Sequence, residues 1–457
     1  MIKLNYVNIF KSKSLKKSLF TLSEAGSNLL FIIISLPIFL NVLGVEKYGI
    51  YILIQSFSSF VKMFNLGGSF TFTKYISQYR GENKLYKIKE FTSTIFIFQL
   101  IISLLFLIIV YPFVDFIIEK YFQQSSNFLI FKSLIIFALP IFLIDLFEQN
   151  LNGLHKGYER FDRALKISLI SKLIKYSAQI VIVIFFKNLQ DLYMVTLFVT
   201  LVFFIFHCFL CKKWYDEISF FLSVKFKILK EFFSFSIWVW LMSIISLLTF
   251  QVDKWIITGL YNFETLAYYG IGISIYNNLH VLTSSSVSWI FPKISFTGIS
   301  KQTKNSYNKN LITLVSTSLF ITLFLLIFGD FIFELWLGKE KYASVEVYVK
   351  LFICVLPIIS TTIVPYYFLL GLGKIKKLFI LGLSTSILLI LGIYTLSSFF
   401  ELKYIISSFL ITYFILSFFY QYEVIKQLKL NNIWINYTVV LLVGIISSVL
   451  YINVLNV

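Results

Sequence analysis

The stretch SLISKLIKYSAQIVIVIFF, Ser168–Phe186, places two ammonium groups, Lys172 and Lys175, well inside a run otherwise apolar enough to lie in hydrocarbon. Three residues apart on a helix, they stand about 60° apart on the wheel, and with Tyr176 and Gln179 they form one polar face. Three uses fit such a pair: binding an anion in a wet cleft, pairing with Asp145 and Glu148 at i and i+3 on the preceding antiparallel run, or snorkelling to the interface. His280, which follows Tyr276, Asn277 and Asn278 in the middle of another apolar run, is a second candidate, for substrate contact or for proton coupling. Lys62 lies about one turn from the end of its run, where snorkelling competes with binding. Among the acids, Glu24, Asp145 and Asp253 are the candidate coupling carboxylates: Glu24 sits more than a turn inside the first run, and Asp253 is adjacent to Lys254. Aromatic residues next to polar positions, Tyr176 and Tyr276, are the ones suited to stacking on a sugar.

The chain that positions these groups has 457 residues, 58% hydrophobic and only 14% charged, with a mean hydropathy of +0.85. That leaves too little polar surface to cover a soluble globule of this size. The excess of 40 basic over 22 acidic residues is therefore loop charge that sets orientation in a bilayer, and no nucleic-acid partner is expected. Thirteen apolar runs of about twenty residues, each able to cross about 30 Å of hydrocarbon, extend from 18–40 through to 434–454. Of the 40 basic residues, 28 fall on the side of the N-terminal tail and 7 on the opposite side. This imbalance predicts a multi-pass protein with its N-terminus in the cytoplasm. No loop is long enough for a soluble catalytic domain. The three cysteines, Cys208, Cys211 and Cys354, suggest neither a disulfide framework nor a metal site.

Weak internal symmetry accompanies this layout. An offset of 218 residues carries Glu46, Gly49 and Tyr51 onto Glu264, Ala267 and Tyr269, Lys62 onto His280, Lys132 onto Lys350, and Gly153-Leu154 onto Gly371-Leu372. Six helices per repeat return the chain to the same face, so the halves are expected to be parallel repeats flanking a cleft, the architecture of alternating access. The expected organisation is an all-α polytopic membrane protein of about 12–14 helices. It comprises an N-terminal lobe (1–211), a cytoplasmic connecting loop (212–231), a C-terminal lobe (232–425) and an extra C-terminal span (426–457).

The string LGVEKYGIYILIQSFSSFVKMFNLGGSFTFTKYISQYRGENK (43–84) resembles the second helix and following loop of polysaccharide repeat-unit flippases. These are the Wzx type of the multidrug/oligosaccharidyl-lipid/polysaccharide exporter superfamily. FQVDKWIITGLYNFETLAYYGIGISIYNNLH (250–280) and WIFPKIS (289–295) are similar to that family's seventh and eighth helices. The resemblance implies a MATE-like fold and no enzymatic activity. It also implies passage of an undecaprenyl-pyrophosphate-linked oligosaccharide from the cytoplasmic to the periplasmic leaflet of the bacterial inner membrane, for O-antigen, lipopolysaccharide or another surface glycan. Proton or sodium coupling, no other cofactor, and a polysaccharide polymerase and chain-length regulator as partners come with it. A diphosphate and its sugars cannot enter hydrocarbon unshielded, so the substrate-binding set is expected to be Lys172, Lys175, Tyr176, Gln179, Asn277, His280 and Lys62. Two alternatives stay open: an ion-coupled multidrug exporter of the same fold, which an acidic cavity would favour, and a membrane polymerase or glycosyltransferase, which would place acids or arginines in long outer loops.

Overall fold

Hydrophobic runs of this length leave the backbone no partner but itself, and in a bilayer that selects helices. The computed structural model describes residues 30–456 except 66–67, 122–125, 221–223, 292–293, 295–298 and 431–432, and among these there is no strand. The helices are α1 (Leu30–Leu43), α2 (Val45–Lys62), α3 (Gly68–Gly81), α4 (Leu85–Tyr121), α5 (Ser126–Gly157), α6 (Phe161–Phe186), α7 (Leu189–Trp214) and α8 (Phe226–Phe250). They continue with α9 (Val252–Leu260), α10 (Phe263–Val287), α11 (Lys301–Leu337), α12 (Lys339–Gly371), α13 (Ile375–Ser397), α14 (Leu402–Ile405), α15 (Ser407–Leu428) and α16 (Ile433–Leu455). Over the described residues the thirteen expected runs fall on helix, the first being described from Leu30 onward. Among the described residues ten helical stretches are long and apolar enough to cross a membrane.

Contacts divide the chain into two compact units. One holds Ile38–Leu247 with Tyr261–Phe263, and the other holds Leu248–Leu260 and the chain from Glu264 onward together with Leu30–Pro37. The first unit is centred on α5, against which α2, α3, α4, α6 and α7 pack. The second is centred on α12, whose stretch Leu351–Val364 is buried on all sides by α11, α13, α15 and α16. A helix with no solvent-facing stripe is the sequence mark of such a central position.

Two elements were not evident as apolar runs. Helix α3 carries Lys74 and Arg80, residues expected in a loop, yet Phe72, Tyr75, Ile76 and Tyr79 line one face at helical spacing. They bury into a core with Phe91, Phe96, Leu151, Leu154 and Phe232. Tyr79 donates to a Glu231 carboxylate oxygen at 2.8 Å, so burial and this carboxylate together push the phenol's pKa up. The second element is a break at Gln251. Pro140, Pro357 and Pro365 lie inside helices α5 and α12, which continue through them. The seventh span is instead divided at Gln251 into α8 and α9.

The segment 212–231, expected as a connecting loop, is bound to the first unit. Tyr215 and Ile218 are buried in its core. Thr92 Oγ1 donates to the Ser219 carbonyl at 3.0 Å, Lys225 N–H donates to Thr94 Oγ1 at 3.1 Å, and Lys225 pairs with Glu90.

Candidate functional site

Two tight hairpins place the polar face of α6. Between α5 and α6 the chain turns with Glu159 at a φ of +59° and Arg160 N–H donating to the His155 carbonyl at 2.9 Å. The Arg160 side chain donates to Asp162 at 2.8 and 3.0 Å. Between α6 and α7, Lys187 takes the left-handed conformation that ends a helix. Asn188 then caps α7 by accepting from Gln190 N–H.

Antiparallel helices on a short turn bring together residues equally far from it. Asp145 and Lys175 flank Arg160 symmetrically, roughly 22 Å from the turn at 1.5 Å per residue, and Lys175 Nζ donates to Asp145 Oδ1 at 2.6 Å. The lysine side chain is 16% exposed, so of the three uses open to it the ion pair is the one formed. Gln179 and Thr196 are likewise opposite across the second turn, with Gln179 Nε2 donating to Thr196 Oγ1 at 3.3 Å. Lys172 is half-buried one turn earlier on α6.

Facing this strip are tyrosines of α2 and α7. Tyr51 stacks on Tyr48 at 6.0 Å and lies 6.4 Å from Tyr193. Tyr176 lies within electrostatic range of Tyr51 and Asp145, and Gln55 faces the Tyr51 and Tyr193 hydroxyls. Gln179 Oε1 is buried with no hydrogen-bond partner. Such an orphan is uncommon in a finished core. Lys175, Asp145, Tyr176 and Gln179 thus belong to one cluster within the first unit.

The remaining candidates fall elsewhere. Glu24 lies outside the described residues, as does the side chain of Lys62, whose backbone ends α2. Asp253 opens α9 in the second unit. It is 2% exposed, accepts from the Tyr269 hydroxyl at 2.6 Å and stands 3.5 Å from Lys254 Nζ. Lys254 also donates to the Phe250 carbonyl at 2.7 Å, a backbone group freed by the break at Gln251. His280 stacks on Tyr276 at 6.3 Å and 14° and also lies against Phe250, with its Nδ1 buried and unpartnered. Asn277 is half-buried on the same helix, α10. Lys350, the repeat mate of Lys132, is bonded to Asp330 and Glu346.

Glu148, offered as a partner for the α6 lysines, turns the other way. Its Oε2 is 2.6 Å from His207 Nδ1, His207 Nε2 is 3.0 Å from His155 Nε2, and His155 Nδ1 is 2.7 Å from the Tyr215 hydroxyl. Cys211 Sγ completes the group at 3.6 Å from His155 Nε2. The sequence reading missed this cluster. The available signals were that His207 and Cys211 are four residues apart, hence on one helix face, and that two of the chain's three histidines take part.

With this geometry in hand, comparisons with known proteins place the chain. An inward-facing multidrug resistance MATE family transporter of the MOP superfamily superposes with a TM-score of 0.71 at 15% identity, covering 91% of this chain and 99% of that one. A MOP superfamily transporter from Pyrococcus furiosus, described as having a binding pocket of reversed polarity, gives 0.59 at 14% identity and covers 92% and 97%. These likenesses show a MATE-type fold, that of a multi-pass membrane protein. No curated protein matches the sequence. The family model described as polysaccharide biosynthesis protein matches residues 41–346, and the chain belongs to that family.

Proposed function

We propose that the protein is a transporter that carries an undecaprenyl-pyrophosphate-linked oligosaccharide across the bacterial inner membrane by alternating access, for O-antigen or another surface polysaccharide. The observation that carries this reading is the membrane-embedded cluster of Lys175, Asp145, Tyr176 and Gln179, set among tyrosines. Held on Asp145, the ammonium is neutralised while the site is empty of cargo, which offsets the cost of keeping a cation in the bilayer. A diphosphate outbids a single carboxylate for that ammonium because it brings more charge and more acceptor oxygens. Sugar hydroxyls both donate and accept, and the unpartnered Gln179 Oε1 matches them, with tyrosine rings for the sugar faces. Asp145, once released, is the carboxylate able to take up a coupling proton or sodium ion.

The test is transport of a fluorescent undecaprenyl-pyrophosphate-linked oligosaccharide in proteoliposomes. A charge-assisted hydrogen bond is worth about 1.5–3 kcal/mol, so Lys175→Ala is expected to slow transport roughly 10- to 100-fold, while Lys175→Arg stays within a few-fold of wild type. Thermal unfolding of each variant separates loss of function from loss of fold. Wild-type transport by a folded Lys175→Ala protein would refute the proposal. Equal movement of a neutral, phosphate-free glycolipid would refute the diphosphate role.

A further inference from the structure

We propose that His155, His207 and Cys211 form a binding site for a borderline-soft divalent cation of the Zn2+ class, independent of the transport site. The three side chains are fully buried, and their ligand atoms lie within 4.8 Å of one another. Tetrahedral zinc, with Zn–N of about 2.0–2.1 Å and Zn–S of about 2.3 Å, requires N···N near about 3.3 Å and N···S near about 3.5 Å. The corresponding separations are 3.0 Å between the two Nε2 atoms and 3.6 Å from Cys211 Sγ to His155 Nε2. The third separation, His207 Nε2 to Cys211 Sγ, lies within 4.8 Å, so metal entry needs the Cys211 thiol to move toward His207 by up to about 1.3 Å.

The surrounding groups match a metal as well. A metal-bound imidazole presents its lone pair to the ion and its other N–H to an acceptor, usually a carboxylate. His207 Nδ1 faces Glu148 Oε2, and His155 Nδ1 faces the Tyr215 oxygen, so both rings have the outer partner that directs Nε2 inward. Charge balances too: the Cys211 thiolate and the Glu148 carboxylate together offset a divalent ion, and the thiol proton leaves to solvent on binding. Without an ion, the same distances are satisfied by a hydrogen-bonded chain in which Tyr215 donates to His155, His155 Nε2–H to His207 and His207 Nδ1–H to Glu148. That chain leaves Cys211 only its 3.6 Å contact with His155 Nε2. A metal would fasten α5, α7 and the start of the segment bound over α4 at one point.

Cobalt(II) titration of the purified full-length protein in detergent distinguishes the two. The expected result is one equivalent bound, with the near-ultraviolet sulfur-to-cobalt band and the intense visible bands of a tetrahedral site, displaced by Zn2+. Cys211→Ser should abolish the sulfur band while Cys208→Ser and Cys354→Ser keep it. Glu148→Gln should weaken affinity about 10- to 100-fold. Because the first readout uses the unmodified protein, a wild-type sample with no sulfur-to-cobalt band overturns the proposal whether or not a variant folds. A band that survives in Cys211→Ser overturns it as well.

Discussion

Asp253→Ala lowers stability by about 3–5 kcal/mol, the cost of removing one partner of a buried charged pair, and is read as a fall in the thermal unfolding midpoint in detergent or nanodiscs. Lys254 is 8% exposed, and its remaining partners are the Phe250 carbonyl and the Gln251 side chain, neither of which carries charge. The Tyr269 hydroxyl loses its acceptor at the same time. Asp253→Asn keeps an acceptor for Tyr269 but not the compensating charge, so it falls between wild type and alanine. The decisive comparison is Asp253→Ala/Lys254→Leu. With both charges gone, the deficit shrinks to about 1–3 kcal/mol, the two hydrogen bonds lost at Tyr269 and Phe250 at about 0.5–1.5 kcal/mol each. A double variant as damaged as the sum of its singles would show that the two groups are uncoupled.

The second large effect is at Gly153. A Cβ there would lie 2.4 Å from the Ser69 carbonyl oxygen and 2.8 Å from Ser69 Cα, both backbone atoms that no rotamer change can move. Gly153→Ala must therefore push α3 off α5. It strains the Thr73 Oγ1 bond to the Gly153 carbonyl at 3.0 Å and, one turn on, those of Ser77 and Arg80 to the Gly157 carbonyl. Overpacking of this kind costs about 1–3 kcal/mol, and Gly153→Val should approach the upper end. Gly81 is the control: nothing lies within 4 Å of its Cβ position, so Gly81→Ala is expected to be neutral or to stabilise by about 0.4–1 kcal/mol. Equal midpoints for the two alanine variants would contradict the close α3–α5 contact.

What the sequence revealed divides along physical lines. Membrane helices are announced by local composition, and over the described residues the hydropathy runs fall on helices. Their ends are close at 164–186, 377–399 and 434–454 but short by seven to nine residues where polar turns extend the helix, as at Leu85, Lys301 and Lys339. The Lys175–Asp145 pair was within reach because a hairpin fixes which residues oppose each other, although Glu148 could be set aside only once His207 was known to hold it. Helix α3 was hidden because Lys74 and Arg80 count as loop charge while its apolar stripe, Phe72, Ile76 and Tyr79, is short. The break at Gln251 carries neither proline nor glycine, and its stabilisation comes from Lys254 reaching back to a carbonyl. The histidine cluster joins residues 52 positions apart on helices that are not consecutive, so it depends on the packing of α5 against α7 and not on any local pattern.

The equal spacing of Asp145 and Lys175 from the α5–α6 turn also bears on how the newly made chain enters lipid. A single aspartate or lysine at the centre of an inserting helix costs about 2.5–3.5 kcal/mol on scales derived from translocation machinery. If α5 and α6 leave that machinery together as a preformed hairpin, the carboxylate and the ammonium reach the acyl chains already neutralising one another. Release one helix at a time would instead present a bare charge to oil, so the order of synthesis favours biogenesis of these two segments as one unit.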